Sequence, residues 1–441
     1  MSAKKWTITF VSIILVVLAA IAIINYVVDP YGYFDGLDGL NEELNDNNYI
    51  RVLKAKHIQK YGDQYEGYVI GGSKAGGYTS KIMEELDGYN YYNCFITMGN
   101  FEEYYIFTKH IIEYSPNVKR IVLNLSGFEC LFDVREGIKQ ETPAVLSGKS
   151  EAVEFVKFLF KNPKLSYDQV FNPEFDYRQN DDGSRNLTGA YEEYLKDPNE
   201  YVRNNVIYDL EEDLQIMFDN AETRTFSSFP NDMRYLRQIV DLCKENDIDL
   251  LVINSATPLT SRQSYEGEAY WNFLAQVATV TDFWDFTSYN DINLNPYNFY
   301  DDAHPFYEVV ELLINTIAGK NSYEGFGYYV TKDNVYDYLQ ERRNDFYELK
   351  YEFEQTGSVR LNERKDESNL LRNGGTYQND WWSFWIRNKN SSNSYCNTSY
   401  LWSVNCCWGF KEKNKQYFCI RWNRKRCFKL WITESRRFKW D

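Results

Sequence analysis

The chain has 441 residues, 44% apolar and 25% charged, a balance that supports a buried core and excludes a wholly disordered protein. Its formal charge of −16 makes it a poor polyanion binder, because that affinity comes from Lys and Arg displacing counterions, so nucleic acid is not an expected partner. The charge is uneven: residues 381–441 hold 13 Lys/Arg and 3 Asp/Glu, the first 380 hold 35 and 61, and the same last stretch carries 8 of the 11 Trp and 5 of the 8 Cys.

The length allows two or three domains, or one large domain with appendages. Trp6 to Val28 is an uncharged run of 23 residues. As a helix it is roughly 35 Å long, enough to cross a hydrocarbon core of about 30 Å. Lys4 and Lys5 precede it, and the positive-inside bias puts the N-terminus in the cytoplasm and the rest of the chain outside. A cleaved signal peptide ending at Ala20-Ile21-Ala22 is the alternative, but the apolar run continues past that site. Asp29-Pro30-Tyr31-Gly32 reads as the turn that ends the helix.

A polar helix is expected from about Asn47 to Tyr61. Strands and helices then alternate: Tyr68–Ile70, Ser80–Leu86, Tyr92–Ile96, Phe101–Tyr114 and Arg120–Leu125, and later Met233–Lys244, Asp249–Ile253, Phe283–Phe286 and Pro305–Ala318. That alternation implies an α/β fold with a parallel sheet covered on both faces. About a hundred mostly polar, helical residues between Gly127 and Phe229 read as an insertion capping the sheet, with a loop near Asn180–Gly183. A charged helical segment follows from Tyr323 to about Gln355.

In an open parallel sheet, ligands bind beyond the carboxyl ends of the strands, so the loops there carry the chemistry. Gly71-Gly72-Ser73-Lys74-Ala75 follows the first strand. It reads as an ordinary capped turn, or as a Ser near a helix N-terminus whose free N–H groups favour an oxyanion. It lacks the Gly-Lys-Ser/Thr ending of a phosphate-binding loop. Asp301-Asp302-Ala303-His304-Pro305 precedes the last helix. Pro305 suits the first helical position, which leaves His304 at the cap, either with an Asp three residues earlier to orient its ring or as an incidental neighbour of an acidic N-terminal cap. His57 and His110 lie in helical patterns and read as surface or boundary residues. Thr97-Met98-Gly99-Asn100, after the second strand, offers a Gly N–H to a substrate oxygen. A Ser hydroxyl needs a positioned base, and His304 is the candidate.

These residues resemble the SGNH (GDSL-like) hydrolase superfamily. The match is to its membrane-anchored cell-surface branch, which includes proteins of alginate O-acetylation and of teichoic-acid D-alanylation (DltD-like). The anchor with Val28-Asp29-Pro30-Tyr31-Gly32, the Gly72-Ser73 block, Gly99 and Asp301-x-x-His304 carry the resemblance, over about residues 6 to 320. It implies a three-layer, flavodoxin-like parallel-sheet domain with a helical insertion. It further implies Ser73 as nucleophile, His304 as its base and Asp301, with Asp302 as the alternative, as the residue orienting His304. The oxyanion hole it implies takes the N–H groups of Ser73 and Gly99 and an Asn side chain. The family's Gly-x-Asn-Asp block is replaced here by Asn124-Leu125-Ser126-Gly127-Phe128, which leaves Asn124 and Asn100 as weaker candidates. The implied activity is acyl transfer to, or removal from, a cell-surface polysaccharide without a cofactor. A multi-spanning membrane acyltransferase is the implied acyl-delivering partner. The departure at the Asn block also admits a non-catalytic glycan-binding or scaffold subunit of an envelope-polymer complex.

The expected organisation is a cytoplasmic stub and anchor (1–35), the SGNH-like domain (36–320, insertion about 127–229), a helical extension and linker (321–378) and a basic Trp/Cys-rich tail (379–441). The tail shows no helix or strand period. Its odd number of Cys argues against a complete disulfide framework of its own, and the missing C-x-x-C pairs argue against a metal. Out-of-frame translation, a basic aromatic wall- or membrane-binding tail, and a small Cys-rich domain remain as readings. Ser368–Gly374 is the stretch that would open a small β domain.

Overall fold

The computed structural model describes residues 2–29, 33–34, 50–130, 143–171, 179–226, 229–262, 264–321, 323 and 325–359, and the backbone of 407–412, 415–422 and 426–431. The chain divides into two units, 1–375 and 376–441.

The first unit opens with helix α1 (Ala3–Val28). Its apolar side chains stand exposed along most of its length, as suits a single-pass anchor or a signal sequence. Ser2 caps its start, and Asp29 ends it in the left-handed region at φ 43°. The Asp29 carboxylate accepts the N–H groups of Tyr33 and Phe34 at 2.9 and 3.0 Å. Pro30 to Gly32, the rest of the expected turn, lie outside the described residues.

The remaining elements run α2 (Ile50–Tyr61), β1 (Gly67–Gly71), α3 (Ser80–Asp87), β2 (Tyr91–Phe95), α4 (Phe101–Tyr114) and β3 (Arg120–Leu125). The insertion supplies α5 (Ala144–Ser147), α6 (Glu151–Leu159), α7 (Lys164–Phe171), α8 (Thr188–Lys196), α9 (Pro198–Asn205) and α10 (Leu210–Thr223). Then follow α11 (Phe229–Glu245), β4 (Asp249–Asn254), α12 (Glu268–Ala278), β5 (Phe283–Asp285), α13 (Tyr307–Ile317), β6 (Tyr328–Val330) and α14 (Val335–Thr356).

The sheet order is β2-β1-β3-β4-β5-β6. The first five strands are parallel, and β6 pairs antiparallel with β5. The wholly parallel expectation therefore fails at one edge, where Tyr328-Tyr329-Val330 is too short to stand out from the charged helix that follows it. Side chains alternate across the sheet, as the two-residue period of a strand requires. Tyr68, Ile70, Ile121, Leu123 and Leu125 enter the core shared with α4, α11, α12 and α14. Val69, Val122 and Ile253 enter the core shared with α3 and α13. Strands buried on both faces explain the near-continuous apolar runs of β1 and β3.

The chain leaves β1 toward β2 and returns across it to β3, so the sheet reverses direction between β1 and β3. Loops on either side of such a reversal splay apart and leave a crevice at the strands' carboxyl ends.

His57 and His110 are buried, not at the surface. His57 stacks flat on the Tyr92 ring at 4.0 Å and bonds the Tyr65 hydroxyl, while His110 bonds the Ala55 carbonyl oxygen. Burial lowers the His110 pKa, so the ring stays neutral in the core. Aromatic neighbours accept an imidazole that a count of apolar positions assigns to the boundary.

The second unit contains an antiparallel sheet of β7 (Cys407–Glu412), β8 (Lys415–Trp422) and β9 (Arg426–Trp431). The tail thus has strand backbone where its sequence shows no period. Ser368–Gly374, the expected start of a β domain, lies outside the described residues.

Candidate active site

Gly71 ends β1 against β3. A Cβ there would sit 2.8 Å from the Asn124 Cβ and 2.9 Å from that of Ala75, so only glycine lets the chain turn so close to its neighbour. Ser73 opens a short 3-10 turn, Ser73–Gly77, just past the carboxyl end of β1. The first bond of that turn runs from the Ala75 N–H to the Gly72 carbonyl. The N–H groups of Ser73 and Lys74 precede it and have no partner inside the turn, as at any helix start. Asn93, on the neighbouring strand, donates from its amide to the carbonyls of Ala75 and Tyr78 at 2.7 and 2.9 Å and holds the turn in place. The insertion covers the turn: the Arg185 N–H donates to the Gly76 carbonyl.

His304 meets this turn from 231 residues away, its Nε2 2.7 Å from Ser73 Oγ. On the other side of the ring, Nδ1 is 2.8 Å from both carboxylate oxygens of Asp301. The same carboxylate accepts the backbone N–H groups of Ala303 and His304 at 2.9 and 2.8 Å. Tyr300 stacks nearly parallel on the imidazole at 5.5 Å. Burial pushes the Asp301 carboxyl up, but the imidazole, the Ala303 N–H and the Arg185 charge outweigh it and hold the group below its usual range. Asp301 is therefore anionic at neutral pH, and it fixes the ring with Nδ1 protonated and Nε2 open to accept the Ser73 proton.

Two details differ from the sequence expectation. The helix begins at Tyr307 with Phe306 as its cap, because Pro305 instead pairs with Phe299 in an isolated β-bridge. His304 thus sits in a bridged turn, not on a helix cap. Asp302 interacts with Arg262, Tyr208 and Tyr265, so the carboxylate at the ring is that of Asp301.

The expected oxyanion donors other than the turn are engaged elsewhere. The Gly99 N–H donates to the Ile96 carbonyl at 3.1 Å. Its lack of a side chain makes room for Tyr104, whose ring would lie 2.6 Å from a Cβ there. Asn124 is fully buried, and its amide donates to the Tyr78 and Ser255 hydroxyls at 3.0 and 2.6 Å. Asn100 caps α4 in a reciprocal pair with Glu103.

Sequence reasoning missed two buried ionisable side chains, Lys74, next to Ser73 in the chain, and Glu129, whose charge acts on Lys74. Lys74 donates to the Thr257 hydroxyl, and burial lowers its pKa to about 8 against the pull of Glu129, Asp301 and Asp285. Glu129 accepts from Tyr104, from the Ser126 N–H and from the Ser126 hydroxyl, and burial raises its carboxyl. Its position four residues past the carboxyl end of β3 was the available signal. Among the described residues, no group of three or more His, Cys, Asp or Glu side chains could hold a metal ion. No family model, curated protein or solved structure matches this chain.

Proposed function

We propose that this chain is a membrane-anchored, extracytoplasmic SGNH-type serine acyltransferase or esterase, of the O-acetyl type, acting on a cell-surface polysaccharide. One observation carries the reading: Ser73 Oγ, His304 Nε2 and Asp301 form one hydrogen-bonded relay at 2.7 and 2.8 Å. The sheet order, with its reversal between β1 and β3, supports the SGNH-like architecture. The long apolar N-terminal helix behind Lys4 and Lys5 supports an anchor with the enzyme outside the membrane.

The chemistry follows from the relay. Ser73 Oγ attacks the ester carbonyl while its proton passes to His304 Nε2. Asp301 stabilises the imidazolium that forms. The oxyanion develops against the N–H groups of Ser73 and Lys74 at the start of the turn. As the intermediate collapses, the bond to the leaving alkoxide breaks and His304 returns the proton to it. A sugar hydroxyl or water then gives its proton to His304 and attacks the acyl-serine; as this second intermediate collapses, the acyl–Oγ bond breaks and His304 returns the proton to Ser73. A multi-spanning membrane acyltransferase is the partner that would supply the acyl group.

A fluorophosphonate probe on the full chain in detergent tests the reading. Wild type is expected to label and Ser73→Ala not to. Equal labelling of both removes Ser73 as nucleophile.

The engagement of Gly99 and Asn124 elsewhere favours a second reading, a glycan-binding or scaffold subunit without turnover. That reading requires glycan binding that survives Ser73→Ala and His304→Ala, and a wild type that neither labels nor hydrolyses esters.

A further inference from the structure

The helical hairpin α6–α7 is fastened to the end of α1. The Asn25 amide donates to the carbonyls of Leu159 and Lys161 at 3.0 and 2.9 Å, and the Ser166 hydroxyl donates to Asn25 Oδ1 at 2.7 Å. Tyr33, just past α1, stacks on Phe158 at 4.1 Å, and Phe34 meets Phe155 edge-on at 5.2 Å. These contacts bury Asn25 completely. An amide in the last turn of an apolar helix is thus satisfied by protein and not left to lipid.

The joint fixes the height of the hairpin. The 26 residues of α1 span about 39 Å, against a hydrocarbon core of about 30 Å. The last turn of α1 therefore stands in the headgroup layer, and the hairpin with it. The outer surface of the hairpin is apolar where a free-standing surface should be polar: Val153, Val156, Phe160, Tyr167 and Phe171 are 46–69% exposed. Val153, Val156 and Phe160 recur at helical spacing, so they line one stripe. Lys157, Lys161 and Lys164 accompany them. An apolar stripe with an aromatic rim and flanking lysines is the composition of a helix lying in a membrane interface.

We infer that α6–α7 is an interfacial element whose exposed apolar stripe is covered by the lipid bilayer in which α1 is anchored, so that the catalytic domain is held to the membrane surface at two points. Continuity with the anchor decides the occupant: a hairpin clamped to α1 at headgroup depth meets lipid before any other partner. The inference does not depend on the catalytic reading. It requires only that α1 stays in the membrane.

The full chain is reconstituted in phosphatidylcholine–phosphatidylglycerol vesicles containing a lipid with a photoreactive diazirine in its acyl chain. Illumination and peptide mapping then read out lipid contact. Labelled peptides are expected from α1 and from 151–171, with none from 188–196, the control helix. The double variant Val156→Glu, Phe160→Glu should lose the 151–171 label and keep the α1 label. Phe160→Glu alone, a milder change to the fold, should reduce it. Label on α1 with none on 151–171 overturns the inference, and so does an unlabelled α1. Protection of 151–171 from water-soluble reagents in native membranes, without lipid label in vesicles, also overturns it, because another membrane protein would then cover the stripe.

Discussion

Two clusters of charged and polar side chains stand near the carboxyl ends of the sheet strands, and they differ in what surrounds them. At the β1 end, Ser73, His304 and Asp301 form a short chain whose members keep partial exposure; His304 retains 15% of its side-chain surface. At the β4–β5 end, Arg342 of α14 is sealed with Glu266 and Asp285, each with 1% or less of its side chain exposed. Arg342 pairs with Glu266 and also donates to the Tyr338 hydroxyl and the Thr287 carbonyl, both at 3.0 Å. Glu266 also takes the Trp271 indole N–H at 2.9 Å. The sealed cluster has its hydrogen-bonding capacity turned inward and ties α14 and α12 to the strand ends. The Ser73–His304–Asp301 chain instead keeps an edge toward solvent. Polar and charged side chains are thus wholly enclosed in one place and partly open to solvent in the other.

The comparison breaks most visibly if the open cluster proves structural. Ser73→Ala or His304→Ala is expected to lower ester turnover by roughly 10⁴-fold or more, and Asp301→Asn by about 10²–10⁴-fold. The same variants should unfold in denaturant within about 1 kcal/mol of wild type, since surface-proximal changes outside the core cost little. Turnover of an aryl acetate and urea titration check both halves. Loss of folding with retained turnover would reverse the assignment.

Arg342→Met is the mirror experiment. It leaves Glu266 and Asp285 as buried carboxylates without their cation, a change that costs about 3–5 kcal/mol. The expected outcome is a large drop in the urea midpoint, with fluorophosphonate labelling of the remaining folded protein unchanged in rate.

The strands and the relay were legible because their signals are local. β3 and α4 follow their apolar patterns to the residue, at Arg120–Leu125 and Phe101–Tyr114. The Asp301–His304 spacing closes a turn in which one carboxylate can reach both backbone and ring. What was not legible depends on neighbours distant in sequence. The burial of His57 needs Tyr92 beneath it, and the strand character of Tyr328–Val330 needs the edge of β5. Lys74 reads as an ordinary polar turn residue until Thr257 and Glu129 are folded around it. Asn124 is a different case, because strand parity already answered the question. It shares the face of Val122, toward α3 and α13, and so points into a layer instead of up toward the rim.

Lys74 is coupled to carboxylates of both clusters, since the charges of Asp301 and Asp285, together with Glu129, act on it. Burial lowers its pKa from 10.5 to about 8 on folding. Between those values the unfolded chain still carries a proton that the native protein has released. Native stability from this group is therefore fully present above the unfolded pKa and is lost as pH falls through about 8. Lys74→Met removes this dependence. Measured by urea unfolding at pH 7.5 and at pH 10, wild type should gain about 2 kcal/mol relative to the variant. A constant difference between the two proteins across that range would mean that Lys74 is solvated in solution.

The smallest expected effect is the sharpest about mechanism. Asn124→Leu keeps the same number of side-chain heavy atoms and the same branch point, and removes the amide that donates to Tyr78 and Ser255. Those two hydroxyls also bond each other, so each keeps one partner, and the stability cost should be about 1–2 kcal/mol. If the N–H groups of the Ser73 turn alone face the oxyanion, kcat should fall by less than about tenfold. A true oxyanion donor would cost about 10²–10³-fold when removed. Reading kcat and the urea midpoint on the same preparation separates the two cases. A large loss of kcat at nearly unchanged stability would mean that Asn124 turns toward the substrate during the reaction, and the line drawn here between sealed and open groups would then run through β3 itself.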